Sequence, residues 1–313
     1  MTQYLLRRFI AAIPVMFLVS LMSFAVIWLV PGDPAAAFLD ASATQEQIAR
    51  VRHELGLDRP LWEQMVQWYG RVFSGDLGQS ILLHRSVGDA LLERLPVTLS
   101  LAALALALAA LLGLTAGIVA AMHRGSLTDR SVMTASLLGL SMPDFWLGLV
   151  LIVVFAVGLG WLPSGGFVPL TESPLGWLRT MVLPALTLAL VQTGFIARMT
   201  RSAMLDVLHQ DFIRTADAKG LRRGFVVLRH GLPNALLPIL TVLGIIAGSL
   251  LGGAVVIEQV FSLPGVGRLI IGAIMSRDFP VIQGGLLFLA AIYVVINLVV
   301  DLLYAVVDPR VRL

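Results

Sequence analysis

Few side chains in this sequence are placed for chemistry, and the gaps say which reactions are closed to it. Of 22 basic residues, 21 are Arg and one is Lys219, in Ala218-Lys219-Gly220-Leu221. A nucleotide-binding P-loop needs Gly-Lys-Ser/Thr so that the lysine reaches the β/γ-phosphates. Here the order is wrong, so the chain is not a Walker-type ATPase by itself. With no cysteine, disulfide scaffolds, cysteine metal sites and thiol nucleophiles fall away together. His53, His84, His123, His209 and His230 are scattered, with no His-Glu-x-x-His motif and no i, i+4 pair inside a span to hold a metal. Gly139-Leu140-Ser141-Met142-Pro143 fails as a nucleophile elbow at its last position. Asp144 and Asp301 are the acidic groups within long apolar segments, and both read as interfacial groups rather than proton or ion relays.

The elements that carry these residues belong in a membrane. The 313 residues are 58% apolar and 13% charged, against about 45–50% and 25% in soluble domains. Mean hydropathy is +0.90. A crossing helix needs about 20 apolar residues, and six segments supply them: 9–30, 97–122, 131–162, 181–199, 235–257 and 281–307. The third is longer than one perpendicular span needs and is interrupted at Pro143-Asp144, where a kink or a cytoplasmic-side extension is expected. The first follows Arg7-Arg8 like a signal peptide. Its core is too long for one, and Pro31-Gly32-Asp33-Pro34 is no small-residue cleavage site, so an uncleaved helix is expected.

Charge sets the orientation. With both termini cytoplasmic, 13 Lys and Arg fall inside and 9 outside, six of those in the 31–95 loop, which also carries nine acidic residues. Short loops alone give 13 against 3, a strong positive-inside signal. The pI near 9.8 is therefore topology charge, and no nucleic-acid partner is implied. The chain divides into a cytoplasmic N-terminus (1–8), a first span (9–30), an extracytoplasmic helical loop (31–95) and a core (96–313) with a cytoplasmic loop at 205–233. In the outer loop Thr44-Gln45-Glu46-Gln47 has capping-box spacing. A second helix is expected from Pro60 to Phe73, and Ser86-Val87-Gly88-Asp89 caps a short one over 91–95. A lid over the outer mouth is the plainer reading of this loop; a dedicated ligand site is the other.

Two features remain. Small residues recur every fourth position: Ala105, Ala109, Gly113, Gly117 and Ala121 in the second span, and Gly244, Gly248 and Gly252 in the fifth. Such stripes let helices approach closely where lipid gives no hydrophobic drive; alternatively the fifth span's smooth face lines a pathway. The second feature is the cytoplasmic stretch 211–234, read as a short helix, a turn at Gly220 and a second short helix stopped by Pro233. Phe212, Ile213, Ala216, Phe225, Val226 and Leu228 alternate there with a basic face, which suits either positive-inside anchoring or docking onto a cytoplasmic partner.

That stretch resembles the EAA loop of bacterial ABC importer permeases: Glu-Ala-Ala, three residues, Gly, nine residues, then Ile-x-Leu-Pro. Arg214-Thr215-Ala216, Gly220 and His230-Gly231-Leu232-Pro233 keep the spacing, with Arg for Glu, Thr for Ala and His for Ile. The variant Arg-Thr-Ala…Ala-Lys-Gly is similar to the dipeptide/oligopeptide/nickel permease family, where Asp217 stands at a place that often holds Arg. The likeness continues through Tyr4-Leu5-Leu6-Arg7-Arg8, Pro31-Gly32-Asp33-Pro34, Leu55-Gly56-Leu57-Asp58-Arg59-Pro60-Leu61, Gly75-Asp76-Leu77-Gly78 and Ser141-Met142-Pro143-Asp144-Phe145-Trp146. Glu258, Phe261, Leu263-Pro264-Gly265-Val266-Gly267, Asp278-Phe279-Pro280, Asp301-Leu302-Leu303-Tyr304 and Asp308-Pro309-Arg310 complete it.

The resemblance implies an all-α polytopic inner-membrane protein of the type I ABC importer permease fold, with six transmembrane helices. It implies a second homologous permease, two cytoplasmic ATPase subunits and an extracytoplasmic substrate-binding protein as partners. ATP and Mg would be bound by the ATPases, leaving no cofactor on this chain. Arg214, Thr215, Ala216, Asp217, Lys219, Gly220, His230, Leu232 and Pro233 would form the ATPase-docking loop. Di- or oligopeptides are the implied cargo, with nickel chelates and glutathione as related options. An ion-coupled secondary transporter, needing Asp144 or Asp301 and no nucleotide, is the rival of a different class. An intramembrane enzyme would need a nucleophile–base pair, which the sequence does not supply.

Overall fold

The computed structural model describes residues 2–29, 33, 35, 44–54 and 56–307, with the side chains of 2–6, 51, 54 and 303–307 left aside. Val30, Pro31, Gly32, Pro34, Leu55 and the closing Asp308-Pro309-Arg310 lie outside the described residues, as do the side chains of Tyr4, Leu5, Leu6 and Tyr304. Every named element is helical, and no strand occurs among the described residues. Twelve α-helices follow in order: α1 Thr2–Leu29, α2 Gln45–Glu54, α3 Leu61–Phe73, α4 Val87–Met122, α5 Leu127–Ser141, α6 Asp144–Leu151, α7 Pro174–Leu208, α8 Asp211–Ala218, α9 Arg223–Phe225, α10 Leu232–Val260, α11 Val266–Ser276 and α12 Phe279–Val307. Two wider π-helical stretches, Ile152–Gly158 after α6 and Val226–Gly231 after α9, continue their helices.

Five of these helical runs are long and apolar enough to cross a membrane: 7–29, 87–122, 174–208, 223–260 and 279–302. The sixth expected span is a bent helix pair, with the geometry of a broken span or a re-entrant loop. Leu127–Ser141 and Asp144–Gly158 pass as a pair but meet at 104°. Pro143 sits between them in extended geometry, because a residue without N–H closes no helical hydrogen bond there.

Helices run further than the sequence suggests at two places. The segment expected as a short helix at 91–95 is the first part of α4, which continues through Pro96 for 36 residues, about 54 Å. Ser86 does cap it, Oγ accepting from Asp89 N at 3.4 Å. Pro233 does not stop a helix either. It occupies the first turn of α10 directly after the π-helical stretch, where the ladder changes register and a missing N–H is accommodated, and that stretch remains in αR geometry. The backbone is therefore helical from Arg223 to Val260.

The chain packs as two compact units. One comprises Thr2–Pro96 with Gly265–Val295. Its core joins Val87, Ala90 and Leu91 of α4, Val266, Leu269, Ile270 and Ala273 of α11, and Phe279, Val281 and Ile282 of α12. Asp278, almost fully buried, accepts from Ser80 Oγ at 2.6 Å and Leu82 N at 3.2 Å, so its desolvated carboxylate is satisfied. Trp68 of α3 packs at a tilt against Phe24 of α1, ring centroids 5.8 Å apart, and Tyr69 OH meets Ser20 Oγ at 2.8 Å. Thr44 and Gln47 form the reciprocal cap of α2: Thr44 N donates to Gln47 Oε1 at 2.7 Å, and Gln47 N donates to Thr44 Oγ1 at 3.4 Å.

The other unit comprises Val97–Pro264 with Ile296–Leu313. Helix α7 is its interior element, burying Met181, Leu183, Leu188, Ile196 and Met204 along its length. The start of α5 is tied to α7 by a bidentate pair, Arg201 Nε to Asp129 Oδ1 at 2.6 Å and Nη2 to Oδ2 at 2.7 Å. Asp129 also accepts from Gly125 N, so each carboxylate oxygen is engaged.

Candidate functional site

The stretch expected to dock a partner is α8, the turn at Gly220, α9 and the entry to α10. Helix α8 forms because Ile213 and Ala216, three apart, share one face and bury against Val226 and Leu208. It ends where Lys219 N reaches Thr215 O at 3.2 Å and Gly220 N reaches Asp217 O at 2.9 Å. Gly220 then takes φ +76°, a left-handed conformation that glycine adopts without cost. A Cβ placed there would meet nothing within 4 Å, so the requirement is conformational and not one of space. Asp217 Oδ2 accepts from Arg223 Nη1 at 3.0 Å, bridging the two limbs of the turn. The departure at Asp217 from the family's usual basic residue thus comes with an opposite charge facing it.

Burial divides the apolar residues into two sets. Ile213, Ala216 and Val226 face inward, whereas Phe212, Leu221, Phe225 and Leu228 are 39–59% exposed. Around that outer set stand Arg214, Lys219, Arg222 and Arg229, all exposed. Thr215 and Asp217 are exposed too; Thr215 Oγ1 donates to Asp211 O at 3.0 Å. His230 is half-buried and sits edge-on to Phe225, with ring centroids 5.9 Å apart. Leu232 is half-buried and Pro233 exposed. Bulky apolar side chains spaced among cations on a short, rigid element make a surface suited to a protein partner.

The element is attached without a flexible joint. Val227, adjoining Val226, is fully buried in a cluster of Ala121, Ala203, Met204, Val207, Ala235 and Ile239, which spans the ends of α4, α7 and α10. Gly231 lets Met204 approach: a Cβ there would lie 3.2 Å from Met204 Cε. A push on α8 would therefore be felt directly by α7 and α10.

The small-residue stripes occupy different surroundings. In α4, a Cβ on Gly113 would lie 2.5 Å from Ile196 Cβ, and one on Gly117 would lie 2.6 Å from Ala197 O. Both glycines are contact points with α7. In α10, Gly244 lines an apolar cavity of about 370 Å³ with residues of α4 and Val300. Gly248 is buried, and Gly252 faces open space.

Three features are not legible as contacts in the sequence: the pairing of Glu258, the Asp129–Arg201 pair and α11. Glu258, fully buried near the end of α10, accepts from Thr98 Oγ1 of α4 at 2.6 Å. It belongs to the family pattern noted above, and the structure makes it a further acidic group within a long apolar helix. Asp301 is buried and Asp144 half-buried. Among the described residues no three His, Asp or Glu side chains converge as a metal site would require.

Comparison with known proteins gives this arrangement a context. The family model described as "Binding-protein-dependent transport system inner membrane component" matches residues 113–313, and the model of that component's N-terminal region matches 1–102. A putative peptide transport system permease protein of Brucella abortus (strain 2308) is 51% identical, over 100% of this chain and 99% of its own length. A di/tripeptide transport system permease protein of Pseudomonas aeruginosa is 43% identical, and a glutathione transport system permease protein of Escherichia coli 42%, each with the same coverages of 100% and 99%. A chain of the MetNI methionine ABC transporter superposes with a TM-score of 0.57 at 22% identity, over 70% of this chain and 96% of that one.

Proposed function

The chain belongs to the family of binding-protein-dependent transport system inner-membrane components, and from that premise we propose that it forms half of an ATP-driven import pathway for short peptides. It is a multi-pass inner-membrane transport subunit with a type I ABC permease fold. In this reading two separate cytoplasmic subunits hydrolyse ATP, a second homologous permease completes the pathway, and an extracytoplasmic binding protein delivers cargo. Both termini and the 205–233 loop lie in the cytoplasm, in line with the positive-inside count.

One observation carries the energy-coupling part: an exposed, glycine-turned element whose buried side seats directly on α7 and α10. The chain has no lysine placed for a P-loop, so energy must enter from a partner, and this element can transmit it. An ATPase seated on Phe212, Leu221, Phe225 and Leu228 would move α8 as a rigid piece. Through Val227 and Met204 that motion would bias the helix packing between two states. The names of its relatives support peptide cargo, and the glutathione relative falls within the same chemical class.

Reconstitution tests this. The complex in vesicles, with its binding protein, is expected to accumulate a dipeptide only when ATP is supplied on the side of the 205–233 loop. Accumulation driven by a proton or sodium gradient without nucleotide would overturn the reading in favour of a secondary transporter.

A further inference from the structure

The unit formed by Thr2–Pro96 and Gly265–Val295 holds a cavity unrelated to the docking element. Its volume is about 570 Å³, within the roughly 300–1,000 Å³ range of small-ligand clefts. Two guanidinium groups, Arg59 before α3 and Arg71 within it, line the cavity beside the primary amides of Gln67 and Gln283. No carboxylate lines it among the described residues. Neither arginine makes an ion pair among the described residues, whereas Arg52 and Arg85 in the same unit each do. A smaller cavity of about 290 Å³ shares Arg71, Pro280 and Gln283 with the first and adds Asp76. Asp76 accepts from Gly78 N at 2.8 Å through Oδ1 and makes no ion pair among the described residues. The large cavity thus carries positive charge, and the adjoining one sets Asp76 beside the shared Arg71, with the Gln283 amide common to both.

We propose that these joined cavities bind a zwitterionic short peptide on the permease itself, its terminal carboxylate at Arg59 and Arg71 and its terminal ammonium toward Asp76. Guanidinium groups match a carboxylate by paired, charge-assisted hydrogen bonds. Gln67 offers a donor and an acceptor, the pair that a backbone amide requires; Gln283 Nε2 already donates to Phe24 O at 3.4 Å, which leaves its second N–H and its carbonyl oxygen for a ligand. This site rests on the peptide-permease reading and gives the outer loop a ligand of its own.

The test is direct binding of radiolabelled dialanine to the complete transporter in nanodiscs, without its binding protein. Dialanine amide and N-acetyldialanine serve as the altered ligands. Loss of a charged hydrogen-bonding partner is expected to weaken binding roughly tenfold or more. Amidation is expected to cost this much in the wild type and nothing further once Arg59→Gln and Arg71→Gln are combined. Acetylation is expected to lose its effect in Asp76→Asn, which keeps an acceptor for Gly78 N. Equal binding of dialanine and its amide overturns the carboxylate site, and equal binding of the acetylated form overturns the role of Asp76. Absence of dialanine binding overturns the whole proposal. So does a double variant that impairs only capture of the binding protein. ATP-driven uptake by the same preparation with binding protein present separates the two readings: uptake without nanodisc binding sinks this site alone, whereas no uptake sinks the permease assignment.

Discussion

Replacing Gly220 by valine isolates the docking turn from every other feature of the chain. The backbone there is at φ +76°, and a Cβ added there meets no atom within 4 Å. Steric repulsion from neighbours therefore contributes nothing, and the cost is that of holding an L-residue left-handed, about 1–2 kcal/mol. A β-branched residue lies at the unfavourable end of that range. The equilibrium constant for the turn shaped to receive the ATPase should fall roughly 5- to 30-fold, and the partner's apparent affinity should fall by up to the same factor. Asparagine visits the left-handed region far more readily, so Gly220→Asn should remain close to wild type. The assay is titration of the ATPase subunit onto nanodisc-held permease, read as half-saturation of peptide-stimulated ATP hydrolysis. Insertion and yield should be unchanged in both variants, because neither alters the buried Ile213–Ala216–Val226 cluster. Tight coupling and normal uptake in Gly220→Val would refute the reasoning, as would Asn and Val behaving alike.

Three further outcomes are expected. Gly117→Ala drives a methyl toward Ala197 O at 2.6 Å and should cost about 1–3 kcal/mol in detergent unfolding, whereas Gly252→Ala, facing open space, should stay within about 0.5 kcal/mol; similar costs would contradict the assigned α4–α7 contact. Arg201→Met strips the guanidinium from Asp129, whose side chain is 5% exposed. It should destabilise the fold by about 3–5 kcal/mol, a loss seen as a lower thermal midpoint and partly restored by Asp129→Asn. For orientation, Trp62→Cys should react in intact cells with a membrane-impermeant maleimide, and Leu228→Cys only after the membrane is opened. The reverse pattern would invert the topology.

The span count was legible because it depends on composition along one stretch at a time. So was the break at Pro143, since a missing N–H is a local property. Pro96 and Pro233 carry the same chemistry but interrupt nothing. Pro96 is exposed inside an unbroken α4, and Pro233 follows directly on a π-helical stretch, where the hydrogen-bond ladder already changes register. Whether a proline breaks a helix is thus decided by tertiary context, which one local window does not contain. Pairing was the least legible. Thr98 and Glu258 lie 160 residues apart and Asp129 and Arg201 lie 72 apart, and no spacing rule joins them. The docking element was readable in outline from Gly220 and its flanking periodicity. Its division into an inward set (Ile213, Ala216, Val226) and an outward set (Phe212, Leu221, Phe225, Leu228) required the packing of α7 and α10.

Because the sequence contains no cysteine, one introduced thiol is a unique probe of what covers the exposed element. Phe225 is 52% exposed at the centre of the docking surface. Phe225→Cys, carrying a short photoactivatable cross-linker in the assembled transporter, is expected to couple to the nucleotide-hydrolysing subunit. The yield should change when ATP is bound. ATP-dependent uptake by that preparation with no cross-link from position 225, while a control thiol elsewhere in the cytoplasm captures the ATPase, would contradict the docking assignment.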